Sequence, residues 1–372
     1  MIIFIKKLAI FLTPIGLIFI FPVVVLFLSR EYYPISKVVT NQTKKPEIVY
    51  GVVYSFLDRS YKKSLIVSRQ PEVIALGSSR IMQLRQEFFI EPNKFTNAGG
   101  GALGLDEMVK FIQKLPSDHK VKLIILELDQ EIFKPSSFGV QNEAEKSNGI
   151  LKWLSTDWKR VYIDHFYGKF SLKQLFKQSA TTKNIGLNSL VNGNGFRADG
   201  SYQYGKMLSN PNHQSNLVTE LSIVSSAIER DRGSFLYGDK ISPTAISSLN
   251  DILKLATERN IDVVGFLPPY PNQFYQQIAR VDDVYQKNMT SLPKEIDHVF
   301  SQYHFNFYDF SDIKILGASD QEFVDPQHGT DKLFLRLAIY MAERDPLLSK
   351  YFDLERLNKT LRETKGDYLQ LQ

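Results

Sequence analysis

The hydrophobic positions of this chain fall into three kinds of run, and each calls for a different element. The first is uninterrupted: residues 8–28, LAIFLTPIGLIFIFPVVVLFL, carry no charge over 21 positions. A helix of that length covers a hydrocarbon core of about 30 Å, so the segment reads as a transmembrane helix. Pro14 and Pro22 are compatible with this, because bilayer helices tolerate the backbone groups that proline frees. The second kind is short and dense. Residues 73–76, 121–128 (VKLIILEL), 261–267 (IDVVGFL) and 305–310 have the apolar density of strands buried on both faces. The third has helical spacing, over residues 105–115 and 332–344 and in a helix opened by the cap and first-turn pair Ser242-Pro243 and running to about residue 259. Strands alternating with helices imply an α/β fold whose mainly parallel sheet is flanked by helices on both faces.

The rhythm fails in two places. Residues 32–68 are polar and mixed and read as a tether or lead-in. Residues of about 139–239 are aromatic, polar and dotted with glycine, and NGNGFRADGSYQYGK at 192–206 reads as loop. This stretch is expected to be an inserted subdomain, either substrate-facing or a packing excursion. The plan along the chain is then an N-terminal membrane anchor (1–31), a lead-in (32–68), one α/β domain (69–345) carrying the insertion, and a C-terminal helix with a frayed tail (346–372).

Composition narrows the function classes. The chain has 372 residues, 43% of them apolar, and 45 basic against 40 acidic residues give a net charge of +5. The positive balance leans toward an anionic partner such as a membrane surface or an acidic polymer, only weakly because the charges are interspersed. No basic stripe marks a nucleic-acid footprint. The absence of cysteine excludes disulfides, thiolate metal sites and cysteine nucleophiles, and suits an oxidising exterior. Lys6 and Lys7 favour a cytoplasmic N-terminus, although Arg30, Lys37, Lys44 and Lys45 beyond the helix blunt the bias. No small-x-small cleavage signal follows, so an uncleaved single-pass anchor with the bulk of the chain outside the cytoplasm is expected. The six histidines have no metal-ligand spacing, and no metal or other cofactor is called for.

The candidate chemistry lies at two breaks in the pattern. PEVIALGSSR, residues 71–80, is a buried strand that breaks into Gly77-Ser78-Ser79-Arg80. In open α/β sheets functional groups gather at the carboxyl ends of strands, but a serine hydroxyl needs a base, and a serine after a strand also serves as a plain helix cap. The second break is EFVDPQHGTDK, following the last strand, with Asp325 and His328 three apart around Pro326. That spacing lets a carboxylate orient an imidazole whose other nitrogen faces a nucleophile, the division of labour of a serine triad. Arg80 has two readings, a contact to an anionic substrate group or a pair with a neighbouring carboxylate.

GSSR after the first strand, the cluster Asn97-Ala98-Gly99-Gly100-Gly101 before the first helix, and the late DxxH resemble the SGNH, or GDSL-like, hydrolase superfamily. With the membrane anchor and LPPYP before the last turn, the chain is similar to the DltD-like and AlgX-like proteins of its cell-envelope branch. The likeness spans residues 71–344, with 139–239 unmatched. It implies a flavodoxin-like three-layer domain and a serine esterase or O-acyltransferase acting on a cell-surface polysaccharide or related polymer, in the periplasm or at the surface of a bacterium. A membrane acyltransferase is an implied partner. Position by position it implies Ser79 as nucleophile, His328 as base and acid, Asp325 as its orienting carboxylate, and the amides of Ser79 and of Gly99, Gly100 or Gly101 as oxyanion donors. The family often places an asparagine after the third motif strand; here the chain reads Asp129-Gln130-Glu131, so Gln130 must substitute or the donor is absent. The rival expectation is a non-catalytic platform in an envelope export complex.

Other signals are set aside. Gly200 to Lys206 fits the start of a phosphate-binding loop, but Met207 stands where Ser or Thr must reach magnesium and no apolar strand precedes it. Ile81 breaks a G-x-S-x-G elbow. Aromatic residues around 162–170 and 196–204 are mostly core, with stacking on sugar rings as the functional alternative.

Overall fold

The computed structural model of the chain describes residues 2–53, 58–102, 104–134, 158–179, 183–210, 212–229, 240–281 and 283–369. Along the chain the helices are α1 (Ile2–Leu28), α2 (Ile35–Lys44), α3 (Asp58–Arg69), α4 (Leu105–Gln113), α5 (Trp158–Phe166), α6 (Leu172–Ser179), α7 (Leu187–Asn192), α8 (His213–Glu229), α9 (Pro243–Glu258), α10 (Asn272–Val281), α11 (Asp283–Gln302), α12 (Asp331–Arg344) and α13 (Leu354–Glu363). The strands are β1 (Val49–Tyr50), β2 (Val73–Leu76), β3 (Phe95–Asn97), β4 (Leu123–Glu127), β5 (Asn184–Ile185), β6 (Asn194–Phe196), β7 (Tyr202–Tyr204), β8 (Asp262–Leu267) and β9 (Asn306–Asp309). They form two compact units. One comprises residues 1–57, 141–198 and 203–206, the other 58–140, 199–202 and 207–372.

The larger unit is built on a five-stranded, wholly parallel sheet in the order β3-β2-β4-β8-β9. Numbered within the sheet this is 2-1-3-4-5, a doubly wound order whose direction reverses beside β2 and so opens a crevice at the carboxyl ends of β2 and β4. The strands are apolar throughout because both faces are covered, and strand parity sorts their side chains between two cores. Val73, Ala75, Leu123, Ile125, Val264 and Phe266 pack with α12 through Leu333, Leu337 and Ala338. Ile74, Leu76, Ile124, Leu126 and Val263 pack with α4, α9 and α11 through Met108, Ile112, Leu249, Leu253 and Ile296. Gly265 belongs to this fit, since a Cβ there would lie 2.2 Å from the Phe300 ring. The expected cap is present: the Ser242 hydroxyl accepts the Ala245 N–H at 3.3 Å, with Pro243 in the first turn.

Three stretches depart from expectation. Within the lead-in, residues 58–69 form a helix of this unit rather than a tether. Tyr61, Leu65 and Ile66 are buried on one face, and Lys62 is fully buried with its ammonium on the carbonyls of Asn97 and Gly200. The C-terminal tail is docked as far as Leu369. Phe352, Leu357 and Leu369 join the α12 core, and Thr330 and Lys332 bond the carbonyls of Asp367 and Gly366. β3 had no sequence signal, since three residues at a sheet edge are too few to carry a period.

The smaller unit joins N-terminal residues to residues 158–179, 183–198 and 203–206 of the expected insertion, whereas α8 belongs to the larger unit, with Leu217 and Leu221 in its core. α1 contains one window, Phe11–Leu28, long and apolar enough to cross a membrane, with mean hydropathy 2.7. β1 pairs parallel to β5 and antiparallel to β6, in a four-stranded sheet of order β5-β1-β6-β7. Residues 192–206, expected as loop, thus include two short strands. Their glycines are why no strand signal was visible: Gly195, at φ +156, leaves no room for a Cβ against the Tyr50 carbonyl. The buried Glu31 carboxylate ties the unit together by accepting the N–H groups of Val53 and Leu187, both at 2.7 Å. Within the expected insertion, residues 139–157, 180–182, 211 and 230–239 lie outside the described residues.

Candidate active site

The crevice beside β2 holds the two sequence motifs, and the paired serines divide the labour. β2 ends at Leu76 and the chain turns through a single 3-10 turn, Ser79–Ile81. Ser78 is its cap: with extended backbone, it accepts the Arg80 N–H on its hydroxyl at 3.1 Å. The hydroxyl of Ser79 is thereby left to face outward from the turn, and it lies 2.8 Å from Nε2 of His328.

The partner loop is equally determined by local chemistry. Asp325 begins a turn in which its Oδ1 accepts the N–H groups of Gln327 at 2.8 Å and His328 at 2.9 Å, and the Val324 N–H returns to the His328 carbonyl at 2.7 Å. The same carboxylate lies 2.8 and 2.9 Å from His328 Nδ1. Nδ1 must therefore carry the proton and donate it to Asp325, which leaves Nε2 bare to accept from Ser79. Burial alone would raise the Asp325 carboxyl. The hydrogen bond and charge of His328, with the two backbone N–H groups, outweigh it and hold the carboxyl below its ordinary range. Asp325 is consequently ionised wherever His328 acts as a base.

Of the two readings of Arg80, the structure displays the pairing one. The side chain is 5% exposed. Nε donates to the Gln327 carbonyl at 3.1 Å, Nη1 to Gln130 Oε1 at 2.9 Å and Asp129 Oδ1 at 3.4 Å, and Nη2 to the Pro269 carbonyl at 2.6 Å. Its plane sits over the Tyr270 ring, 4.6 Å from the centroid. Arg80 thus gathers the loops after β2, β4 and β8 and the Asp325–His328 turn, and its fork is directed at the protein instead of a substrate anion.

The expected oxyanion donors are present in sequence but engaged. Both amide hydrogens of Gln130 are used, on the Pro268 carbonyl at 2.9 Å and Ser311 Oγ at 3.0 Å. Gly99 N–H donates to Asn97 Oδ1 at 2.8 Å, Gly100 N–H is shared between the carbonyls of Gly77 and Ser78 at 3.0 and 3.1 Å, and Gly101 N–H turns back to Ala98 at 2.9 Å. Gly100 is required for a second reason: φ is +75, and a Cβ would meet Met82 at 2.4 Å. Ser79's own N–H donates to no acceptor among the described residues.

Sequence reasoning missed Glu127, and it named Asn97 only as the first residue of the glycine cluster, without a role. Glu127 ends β4 opposite Gly77, fully buried. Its Oε2 accepts the Ser78 N–H at 2.6 Å and its Oε1 has no hydrogen-bond partner. Burial first and the nearby Asp129 second push its carboxyl up to about 8, against the pull of Arg80 and Ser78. Glu131 is pushed up to about 7 by the same two causes. An acidic residue closing an otherwise apolar strand was the available signal for Glu127. Asn97 holds the loop that carries Ser79 by donating to the carbonyls of Ile81 and Leu84 at 2.9 and 2.8 Å. Among the described residues no cluster of three or more histidines and carboxylates is arranged for a metal ion.

Compared with protein-family models, curated proteins and solved structures, the chain finds no match in any of the three.

Proposed function

We propose that the chain is a membrane-anchored, SGNH-like serine esterase or O-acyltransferase. It acts outside the cytoplasm on a cell-surface polysaccharide or related envelope polymer, through an acyl-Ser79 intermediate. The observation that carries this reading is the continuous relay from Ser79 Oγ through His328 to Asp325, with links of 2.8 Å and 2.8–2.9 Å. The relay stands at the crevice where doubly wound sheets place their ligands. The apolar window Phe11–Leu28 of α1, the charge of Lys6 and Lys7 at the N-terminal end of that helix and the lack of cysteine support the location.

In this reading Ser79 Oγ attacks an acyl carbonyl while His328 Nε2 takes its proton, and Asp325 stabilises the imidazolium. His328 then protonates the departing alcohol, leaving acyl-Ser79. Water, or a sugar hydroxyl deprotonated by His328, attacks the acyl group and regenerates the serine. The Ser79 N–H serves the oxyanion, and a second donor comes from the Gly99–Gly101 segment by releasing an internal acceptor as the substrate enters. A donor left unassembled lowers the rate by roughly 10²- to 10³-fold.

The engaged state of those glycine amides and of Gln130 favours one second reading, a non-catalytic platform that retains the fold for an envelope complex with a membrane acyltransferase. Intact-mass analysis of the full chain in detergent after exposure to a fluorophosphonate separates the two. One adduct on Ser79, retained in Ser78→Ala and lost in Ser79→Ala and His328→Ala, is the expected result. No adduct on folded protein overturns the enzymatic reading in favour of the platform.

A further inference from the structure

The aromatic residues of the smaller unit are placed against α1, and their placement identifies what they touch. Phe19 packs on Trp158 with ring centroids 4.9 Å apart. Phe21 stacks on Tyr162 at 5.1 Å and meets His165 at 5.0 Å, and the Tyr162 hydroxyl donates to the Ile18 carbonyl. Above this level one face of α1 is protein-covered: Val25 and Leu26 are fully buried with Val161, Phe170, Leu175 and Leu187, while Val23 and Phe27 stay exposed on the other face. Below it Ile3, Phe4, Phe11, Leu12, Ile18 and Ile20 are exposed. Leu8 to Ile20, the uncharged helix between Lys7 and this level, is about 20 Å long at 1.5 Å per residue, and the exposed Lys6 and Lys7 at its lower end are of the kind that snorkels to a headgroup layer across a core of about 30 Å. The protein cover on α1 therefore begins at the level of α5, not at the helix's end.

At that level the smaller unit exposes a particular chemistry. Phe166 and Tyr167 are 83% and 79% exposed, and Phe176 on α6 is 56% exposed. Between Trp158 and Ser179 the chain carries Lys159, Arg160, Lys169, Lys173 and Lys177 against a single acid, Asp164, which pairs with Lys169. Aromatic rings interleaved with cations are what the boundary between acyl chains and headgroups selects, the rings for their amphipathic depth and the cations for anionic lipid. We infer that α5 and α6 form a lipid-facing platform seated on an anionic bilayer around the point where α1 leaves it. This rests on the membrane-anchor reading of α1. The platform assigns Phe166, Tyr167 and Phe176 to lipid rather than to sugar rings, and it holds the smaller unit at a fixed height on the membrane.

The chain has no cysteine, so single cysteines can be spin-labelled without background. Full-length Phe166→Cys, Phe176→Cys and, within α1, Phe11→Cys are reconstituted in vesicles of phosphatidylcholine and phosphatidylglycerol in equal parts. Electron paramagnetic resonance power saturation then compares oxygen with a water-soluble nickel chelate, calibrated with lipids labelled at known depths. The platform requires oxygen accessibility several-fold above nickel accessibility at 166 and 176, at a depth shallower than position 11. Aqueous behaviour at 166 and 176 with position 11 in the bilayer overturns the platform and leaves the anchor standing. Aqueous behaviour at all three overturns both.

Discussion

Glu127 offers the sharpest quantitative test, because a fully buried carboxyl beneath the Ser79 turn makes the stability of the larger unit depend on pH in a direction opposite to most carboxylates. Its ordinary value is 4.5 and the fold pushes it to about 8, by burial and then by Asp129. Between those two pH values the folded chain holds a proton that the unfolded chain has released, so stability falls as pH rises and levels off above about 8. A shift of this size corresponds to a loss of about 3 kcal/mol between pH 5 and 8. Glu131, raised to about 7, contributes in the same direction. Glu127→Gln copies the neutral form: its amide oxygen accepts the Ser78 N–H where Oε2 does now, and nothing is left to ionise. The variant and the parent are therefore expected to be equally stable near pH 5, and the variant more stable near pH 8.

For a unit of this size about 3 kcal/mol corresponds to roughly 5–10 °C in melting temperature. Neither tryptophan of the chain falls within the larger unit, so calorimetry of the full chain in detergent, between about pH 5 and pH 9, is the suitable assay. The parent's transition for the larger unit should fall with pH, and Glu127→Gln should remove most of that fall. A parent whose melting temperature rises over the same range, or a variant with the parent's slope, would show that Glu127 is ionised in the fold and refute the reasoning.

Three further outcomes follow from the same geometry. Asp325→Asn retains an oxygen for the N–H groups of Gln327 and His328 but presents an amide to Nδ1, forcing the wrong tautomer. Single-turnover fluorophosphonate labelling should slow by about 10⁴-fold with an unchanged melting temperature. Gly77→Ala places a Cβ 2.4 Å from Glu127 Oε2 and 2.7 Å from its Cβ, and should cost about 1–3 kcal/mol in calorimetry, with partial rescue by Glu127→Ala. Arg80→Met strands Asp129 and the carbonyls of Gln327 and Pro269, and should destabilise the larger unit by about 3–5 kcal/mol. Arg80→Lys should recover only part of the loss in the same melts, because a single ammonium cannot span four loops.

What was legible in the sequence is what short-range pattern can encode. The strands at 73–76, 121–128 and 261–267 announced themselves because both faces of the sheet are covered, and their positions hold to within two residues of β2, β4 and β8. The helix after Ser242-Pro243 was legible from its cap. Residues 58–69 were not, because Lys62 interrupts their apolar face and is satisfied there by partners distant in sequence, among them the Gly200 carbonyl 138 residues away. The candidate site divides in the same manner. Ser79, Asp325 and His328 could be nominated because a triad needs particular residue types and two of the three lie within one turn.

The rest of Gly77-Ser78-Ser79-Arg80 depends on partners that no local pattern names. Gly77 is glycine because Glu127 stands opposite it across β4, Ser78 caps the turn that presents Ser79, and Arg80 reaches Gln130, Pro269 and Gln327 at separations of 50, 189 and 247 residues. Each is fixed by the sheet order, which brings the ends of β2, β4 and β8 side by side. The motif therefore works as one device: one residue makes room, one caps, one is positioned to react, and one binds the surrounding loops to the turn. A substitution at any of the four is transmitted to the Ser79–His328 distance of 2.8 Å. That distance is the common readout by which the structural roles of Gly77, Ser78 and Arg80 can be separated from the chemical role of Ser79. Variants at Gly77, Ser78 and Arg80 should lower stability and slow labelling together while the adduct still forms on Ser79, whereas Ser79→Ala should abolish labelling alone.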